Sequence, residues 1–266
     1  MTHTMQHIYD SEILICCPSK GRAETCTTHK VLPSVKYFVA PEEYDKYLEC
    51  VPKENVVKLP DGIQVPPVGK CRALNWILDN YKTKENVILF TDDDIMKLQR
   101  IDFLQTPVEC KEANESEVIC LIQKLKFIAD SIGAKIGGFA ALSSGDVLQM
   151  GLSSHFKLAQ KKYIDGKAFI IYDDDGTRYS EDLYLKEDID FNCQSLLNNK
   201  RTLSVQFVVF NGKALTNAGG VCDVRSREKE IEHGSRMIDK YGQMLTLRIS
   251  QIGDGVRKNA VQFGIK

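Results

Sequence analysis

The sequence predicts an α/β protein built on a largely parallel sheet, and three observations carry this. Four short apolar runs with strand character fall within the first 90 residues. Segments with helical spacing lie between them, at about 20–30 residues per unit, the rhythm of βαβ units. The fourth run ends abruptly in three carboxylates, at the kind of strand-to-loop junction where α/β sheets bind ligands.

The elements follow in order. Glu12-Ile13-Leu14-Ile15-Cys16-Cys17 is an apolar run closed by Pro18, the pattern of a buried strand. Ser19-Lys20-Gly21-Arg22 is a loop, and residues 23–32 are expected to form a helix stopped at Pro33. Lys36 to Ala40 is a second strand. Pro41, Glu42 and Glu43 then put a proline and two acids in the first turn of a helix. Asn55 to Leu59 is a third strand, and Asp61 to Pro67 a loop rich in proline and glycine. Gly69 to Tyr81 reads as a helix, with Ala73, Trp76, Ile77 and Asn80 at helical spacing. Val87 to Phe90 is the fourth strand.

The second half is less regular. Glu115 to Ile132 is an amphipathic helix, with Val118, Leu121, Ile122, Leu125, Ile128, Ala129 and Ile132 on one stripe. Strands are expected over 136–141, 167–172 and 204–210, a short helix within 184–197 and a charged helix over 228–241. Asp173-Asp174-Asp175-Gly176 reads as a hairpin turn between Ile171 and Tyr179. No clean linker divides the chain, so residues 1–266 are read as one domain with two halves, about 10–110 and 111–266.

Composition bounds the function. With 266 residues and 43% hydrophobic content the chain can bury a full core. The net charge of −1 names no partner, but residues 199–266 hold 12 basic and 6 acidic residues. That basic quarter reads either as a face for nucleic acid or diphosphate, or as a solvated helix face. Nine cysteines, with no CxxC and no zinc spacing, read as reduced core residues of a cytoplasmic protein. There is no secretory leader pattern and no run near the ~20 apolar residues of a membrane span. The absence of GxGxxG and Walker A loops counts against dinucleotide oxidoreductases and P-loop NTPases.

Asp92-Asp93-Asp94 is the sharpest chemical signal. Three adjacent like charges repel, so the cluster is costly unless a cation sits there. A hard ion such as Mg²⁺ or Mn²⁺ takes oxygen ligands and bridges to substrate phosphates. The competing reading is a solvated acidic turn. Ser19-Lys20-Gly21-Arg22 is either a phosphate-pairing loop or a plain basic turn. Lys70 and Arg72 stand in the first turn of a helix, where cations oppose the macrodipole, so an anion there would explain them. Glu187 and Asp188 begin a helix, either as a general base on an acceptor hydroxyl or as an ordinary acidic first turn. Gly219-Gly220 reads as a loop admitting a ligand or as a packing turn.

Each motif is weak alone, but their order is not. Strand–Ser-Lys-Gly-Arg, Gly-Lys-Cys-Arg-Ala-Leu-Asn-Trp, strand–Asp-Asp-Asp, Glu-Asp-Ile-Asp, then Gly-Gly and a basic helix resemble the GT-A nucleotide-sugar glycosyltransferases. More narrowly, the chain resembles the phage group proposed to glycosylate hydroxymethylated pyrimidines in DNA, a group related to the base J glucosyltransferase and associated with the oxygenases that make such bases. The resemblance spans Ile13 to about Val261. It implies a GT-A-like, Rossmann-type mixed sheet flanked by helices, with an irregular C-terminal acceptor lobe.

The resemblance also implies roles. Ser19, Gly21, Arg22, Arg72, Asn75 and Asp93 would bind the donor, as a set matched to the family's motifs. Asp92 and Asp94 would hold a divalent metal, Mn²⁺ or Mg²⁺. Asp188 would be the base, with Glu187 or Asp190 in support. Gly219, Gly220 and Cys222 would lie near the acceptor. DNA contact would have to rest on the basic C-terminal quarter, with Lys200, Arg201, Arg225, Arg227, Arg257 and Lys258 as candidates. The implied co-substrate is a nucleotide-sugar, UDP-glucose by default, and the implied partner is DNA carrying hydroxymethylated pyrimidines. A non-DNA acceptor, a nucleotidyltransferase and a non-catalytic DNA-binding protein remain the competing classes.

Overall fold

The computed structural model describes residues 11–102, 109–140, 158–160, 164, 166–212, 225–249 and 261–265. The strands are β1 (Glu12–Pro18), β2 (Lys36–Val39), β3 (Val56–Lys58), β4 (Asn86–Thr91), β5 (Ile95–Asp102), β6 (Glu109–Glu112), β7 (Ile136–Ala140), β8 (Leu158–Gln160), β9 (Ala168–Ile171), β10 (Leu203–Gly212), β11 (Leu245–Ile249) and β12 (Val261–Ile265). The helices are α1 (Tyr44–Cys50), α2 (Gly69–Tyr81), α3 (Glu115–Ile132), α4 (Glu187–Asn199) and α5 (Arg227–Tyr241).

Ten strands form one mixed sheet in the order β3-β2-β1-β4-β9-β7-β10-β5-β6, with β8 also paired to β10. β1 to β4 run parallel, as predicted, and β9 and β5 run antiparallel to their neighbours. The two halves of the chain share this sheet, since β4 pairs with β9 and β5 with β10. The chain leaves β1 toward β2 and β3, then returns to its other side as β4. This reversal opens a crevice outside the carboxyl ends of β1 and β4.

Alternation along the strands sends side chains to both faces. Ile15, Cys17, Val87 and Leu89 join one core with Val118, Ile122, Leu125 and Ala129 of α3. Cys16, Ile88 and Phe90 join the other with Cys71, Leu74, Ile77 and Leu78 of α2. α3 begins at the predicted position because Asn114 and Glu117 form a reciprocal capping box, and Gly133 ends it at φ 72°.

Three expectations need correction. Residues 23–32 form no helix, only a 3₁₀ turn at Thr28–Lys30. The hydroxyls of Thr27 and Thr28 donate to the carbonyls of Ile95 (2.9 Å) and Asp92 (2.7 Å), and such side chain–backbone bonds compete with helix. Asp173–Gly176 is a turn but not a hairpin, because Tyr179 is in no strand and the chain runs on to a 3₁₀ turn at Glu181–Leu183. Cys120 is exposed on α3 rather than in the core, as is Cys50 on α1; Cys16, Cys17, Cys26, Cys71 and Cys193 are buried.

Candidate active site

The three carboxylates after β4 point to three different environments. Asp93 is buried and turns back beneath the first loop. It accepts from Arg22 Nη1 at 2.9 Å and from the Ser19 hydroxyl, which in turn lies 2.6 Å from Tyr47 Oη. Its backbone carbonyl accepts from Thr27 N at 2.8 Å. The Ser19–Arg22 loop and the acidic triplet are thereby locked together, with Gly21 at φ 69° and its N–H donating to Glu43 at 2.7 Å. Asp94 is buried beside the end of β10, where Gly212 leaves room for it; a Cβ there would stand 2.7 Å from Asp94 Oδ1. Burial, then the charge of Asp93, push the Asp94 carboxyl above its ordinary pKa, against the pull of Arg22 and Lys167.

Asp92 alone of the three lines an open pocket. The pocket's apolar and aromatic lining is Pro18, Leu74, Phe90, Phe169 and Tyr179. Its polar lining is Lys70, Thr91, Asp92, Glu187 and Asp188, with Gly166 among them. β9 runs antiparallel to β4, so the start of β9 stands at this edge; Thr91 Oγ1 donates to the Lys167 carbonyl at 2.9 Å. The same direction carries Asp173–Asp175 to the opposite edge. There Lys135 pairs with Asp173 at 2.6 Å and Arg178 with Asp174 at 2.9 Å.

Glu187 and Asp188 open α4, where acidic groups favour the macrodipole. Lys70 Nζ reaches Glu187 Oε1 at 2.7 Å, joining the first turns of α2 and α4. The anion expected at the start of α2 is therefore Glu187. Burial pulls the Lys70 pKa down, but Glu187, Asp92 and Asp188 outweigh it and hold the ammonium above its ordinary value. Gly69 packs against the backbone of Gln64, which stands 2.6 Å from where a Cβ would be.

Several expected site residues lie outside the pocket lining. Arg72 makes two bonds to Glu181, at 3.0 and 2.8 Å, on the surface. Asn75 brackets the backbone of Tyr179, donating to its carbonyl (2.9 Å) and accepting from its N–H (2.8 Å). Both residues tie α2 to the segment that leads into α4. Asp190 is fully buried and accepts from Ser180, Gln194, Lys240 and Tyr241, so it is an anchor of α4 and not a pocket group. Lys200 and Arg201 follow the far end of α4. About twelve residues on from Asp188, they stand about 18 Å along the helix axis from it. Lys200 Nζ donates to Leu197 O at 2.7 Å and Arg201 Nη1 to Ile132 O at 2.6 Å. Arg225 pairs with buried Glu230 at 3.1 Å, and Arg227 is exposed at the start of α5. Gly219, Gly220, Cys222, Arg257 and Lys258 lie outside the described residues. Lys70, Thr91, Gly166 and Tyr179 line the pocket without being among the expected site residues. Of these only Lys70 carries a sequence signal, a cation set against a helix dipole.

The family model for the TET-Associated Glycosyltransferase matches residues 13–220. The chain belongs to this family and is a glycosyltransferase. No curated relative matches it. Among solved structures, it is similar to a mycobacterial protein at 12% identity and TM-score 0.49, over 98% of this chain and 85% of that one. It is also similar to glucosyl-3-phosphoglycerate synthase from Mycobacterium tuberculosis in complex with Mn²⁺, UDP-glucose and phosphoglyceric acid. That match has 11% identity and TM-score 0.46, over 91% of this chain and 86% of that one. The synthase with Mg²⁺ and UDP gives 10% identity and TM-score 0.44, over 91% and 85%. Among the described residues, no helix is long and apolar enough to cross a membrane.

Proposed function

We propose that this glycosyltransferase moves a sugar from a nucleotide-sugar, with UDP-glucose as the default donor, to the hydroxyl of a 5-hydroxymethylpyrimidine in DNA. One observation carries the reading. Asp92, at the end of β4, and Asp188, at the start of α4, open onto the same aromatic-lined pocket. A strand-end carboxylate on the donor side thus shares a pocket with a candidate base. The TET association in the family's name supports a hydroxymethylated base as acceptor.

The chemistry of Asp92 and Asp94 suits a hard divalent cation, Mg²⁺ or Mn²⁺, although only Asp92 lines the pocket. The donor set of Asp92 and Asp94 is all oxygen. Among the described residues no three His, Cys, Asp or Glu side chains group as a metal cage. An ion such as Mg²⁺ takes one or two carboxylates and completes its shell with substrate phosphates and water. Asp94, with its carboxyl pushed up by burial, is the kind of group that a cation would hold ionised. When bound, the metal neutralises the leaving nucleoside diphosphate.

The chain's own residues do the rest. Asp188 accepts the proton of the acceptor hydroxyl as that oxygen attacks the anomeric carbon. Lys70 holds Glu187 beside it. Phe90, Phe169 and Tyr179 give the pocket an apolar wall. Ser19, Gly21 and Arg22 shape the donor-side loop through Asp93, and Arg72 and Asn75 act from α2 by fixing the 179–181 segment. A duplex acceptor needs its base flipped into the pocket, at a cost of a few kcal/mol. Arg227, Gly219, Gly220 and Cys222 are the candidates for acceptor contact.

The test is to incubate the protein with Mn²⁺, UDP-glucose and hydroxymethylcytosine-containing duplex DNA, then digest and weigh the nucleosides. The expected result is a hexose-sized gain on the modified base, lost in Asp92→Ala/Asp94→Ala. Asp188→Asn should lose transfer and keep donor binding. UDP-glucose hydrolysis without transfer to hydroxymethylcytosine or hydroxymethyluracil DNA would move the acceptor to a glycan, protein or small molecule. Neither transfer nor hydrolysis across a panel of nucleotide-sugars would overturn the reading.

A further inference from the structure

α5 lies beyond the residues that the family model matches, yet it grips the helix turn that carries Glu187 and Asp188 from both sides. On one side is Lys186, the residue that caps α4. Its ammonium is buried and sits 2.6 Å from Oε2 of Glu230, which is fully buried on α5. Arg225 Nε lies 3.1 Å from the other oxygen of Glu230. On the other side is Asp190, also fully buried, whose Oδ1 accepts from Tyr241 Oη at 2.7 Å and Lys240 Nζ at 2.9 Å. An apolar seam of Leu183, Ile189, Cys193, Met237 and Tyr241 fills the space between the helices.

We propose that Glu230 is a positioning residue for Asp188, and that α5 acts as a brace setting where the first turn of α4 presents its carboxylates. The inference rests on the reading of Asp188 as the base. The reasoning is geometric. Residues 186 and 190 flank 187 and 188 in one helical turn; buried Glu230 fixes the first, and the buried Tyr241 hydroxyl with the Lys240 ammonium fixes the second. Freeing either end lets that turn move, and a shift of about 1 Å in a reacting group costs on the order of 10²-fold in rate. Buried ion pairs add little net stability but hold groups in register, which is the use assigned here. Two basic residues of the C-terminal quarter thereby acquire a second explanation: Arg225 pairs with Glu230, and the ammonium of exposed Lys240 reaches Asp190.

The experiment is a double-mutant cycle on turnover of the nucleotide-sugar, using the full chain at a temperature where circular dichroism shows each variant folded. Glu230→Gln should lower kcat about 10- to 100-fold and leave the donor KM within about twofold, because the donor side is built on β1 and β4. Tyr241→Phe, a milder change at the other end of the brace, should lower kcat in the same direction and keep the protein folded if Glu230→Gln does not. On the residual turnover of Asp188→Asn, read at raised enzyme concentration, Glu230→Gln should have no further effect, since a group acting through Asp188 has nothing left to position. Two results overturn the proposal. One is unchanged kcat in folded Glu230→Gln and Tyr241→Phe. The other is a Glu230→Gln loss as large in the Asp188→Asn background as in the unaltered chain. If Asp188→Asn itself left turnover intact, the assignment of the base would fail, and that failure is separable from the failure of the brace.

Discussion

Replacing Arg22 by methionine separates a structural role from a donor-binding one. Arg22 Nη1 stands 2.9 Å from Asp93 Oδ1, with side-chain exposures of 17% and 5%. Methionine keeps much of the stem and removes the charge, leaving a buried carboxylate without its cation. Breaking a buried pair from one side costs about 3–5 kcal/mol. Asp93 keeps the Ser19 hydrogen bond, which places the expected loss near the lower end, at about 3 kcal/mol. For a chain of this size about 1 kcal/mol moves Tm by roughly 2–4 °C, so the melting point should fall by roughly 6–12 °C. Urea unfolding at about pH 7.5 should show a lower midpoint with an unchanged slope. Arg22→Met/Asp93→Asn should recover most of the loss, because both charges are then gone. A loss below about 1 kcal/mol, the scale of a surface pair, would refute the reasoning. A raised donor KM at unchanged stability would instead return Arg22 to the substrate.

The remaining predictions are narrower. Burial, then Arg236, lower the pKa of His233, so its contribution to stability is present above about pH 6.5 and is lost as pH falls through the folded-state value. His233→Gln should therefore narrow the gap in Tm between about pH 7.5 and about pH 5.5, and an unchanged gap would count against it. Gly212→Ala places a methyl 2.7 Å from Asp94 Oδ1, so the Mn²⁺ concentration for half-maximal turnover should rise; an unaltered metal titration would sink this link. Asn114→Ala removes the α3 capping box and should cost about 1 kcal/mol, read from the urea midpoint, with activity unaffected.

The parallel half of the sheet is legible because its strands are short apolar runs broken by proline, glycine or acids, and α2 and α3 because their stripes repeat at helical spacing. β5 is not legible. Its buried residues Ile95, Leu98 and Ile101 recur every third position, and its register against β10 shifts at Asn211/Gly212, so it has no period of two. Residues 23–32 mislead because threonine side chains that bond distant carbonyls look, in sequence, like any helix-compatible polar residue. For the site, the strand-end triplet is visible in the sequence but the divergence of its members is not. Which carboxylate faces the pocket depends on Arg22 and Gly212, which lie far from the triplet along the chain and meet it only in the fold. Asp190 reads together with Glu187 and Asp188, yet a small step along the helix separates a pocket group from a buried anchor, and only the docking of α5 decides which is which.

That docking bears on where this enzyme can be cut. The region shared with the family stops at residue 220, a natural place to end an expression clone. A fragment ending there would strip Asp190 of its Lys240 and Tyr241 donors and Lys186 of Glu230. It would also uncover Leu183, Ile189 and Cys193, which the structure keeps from water. The smallest working unit is thus longer than the stretch that the family model matches, and α5 belongs to it.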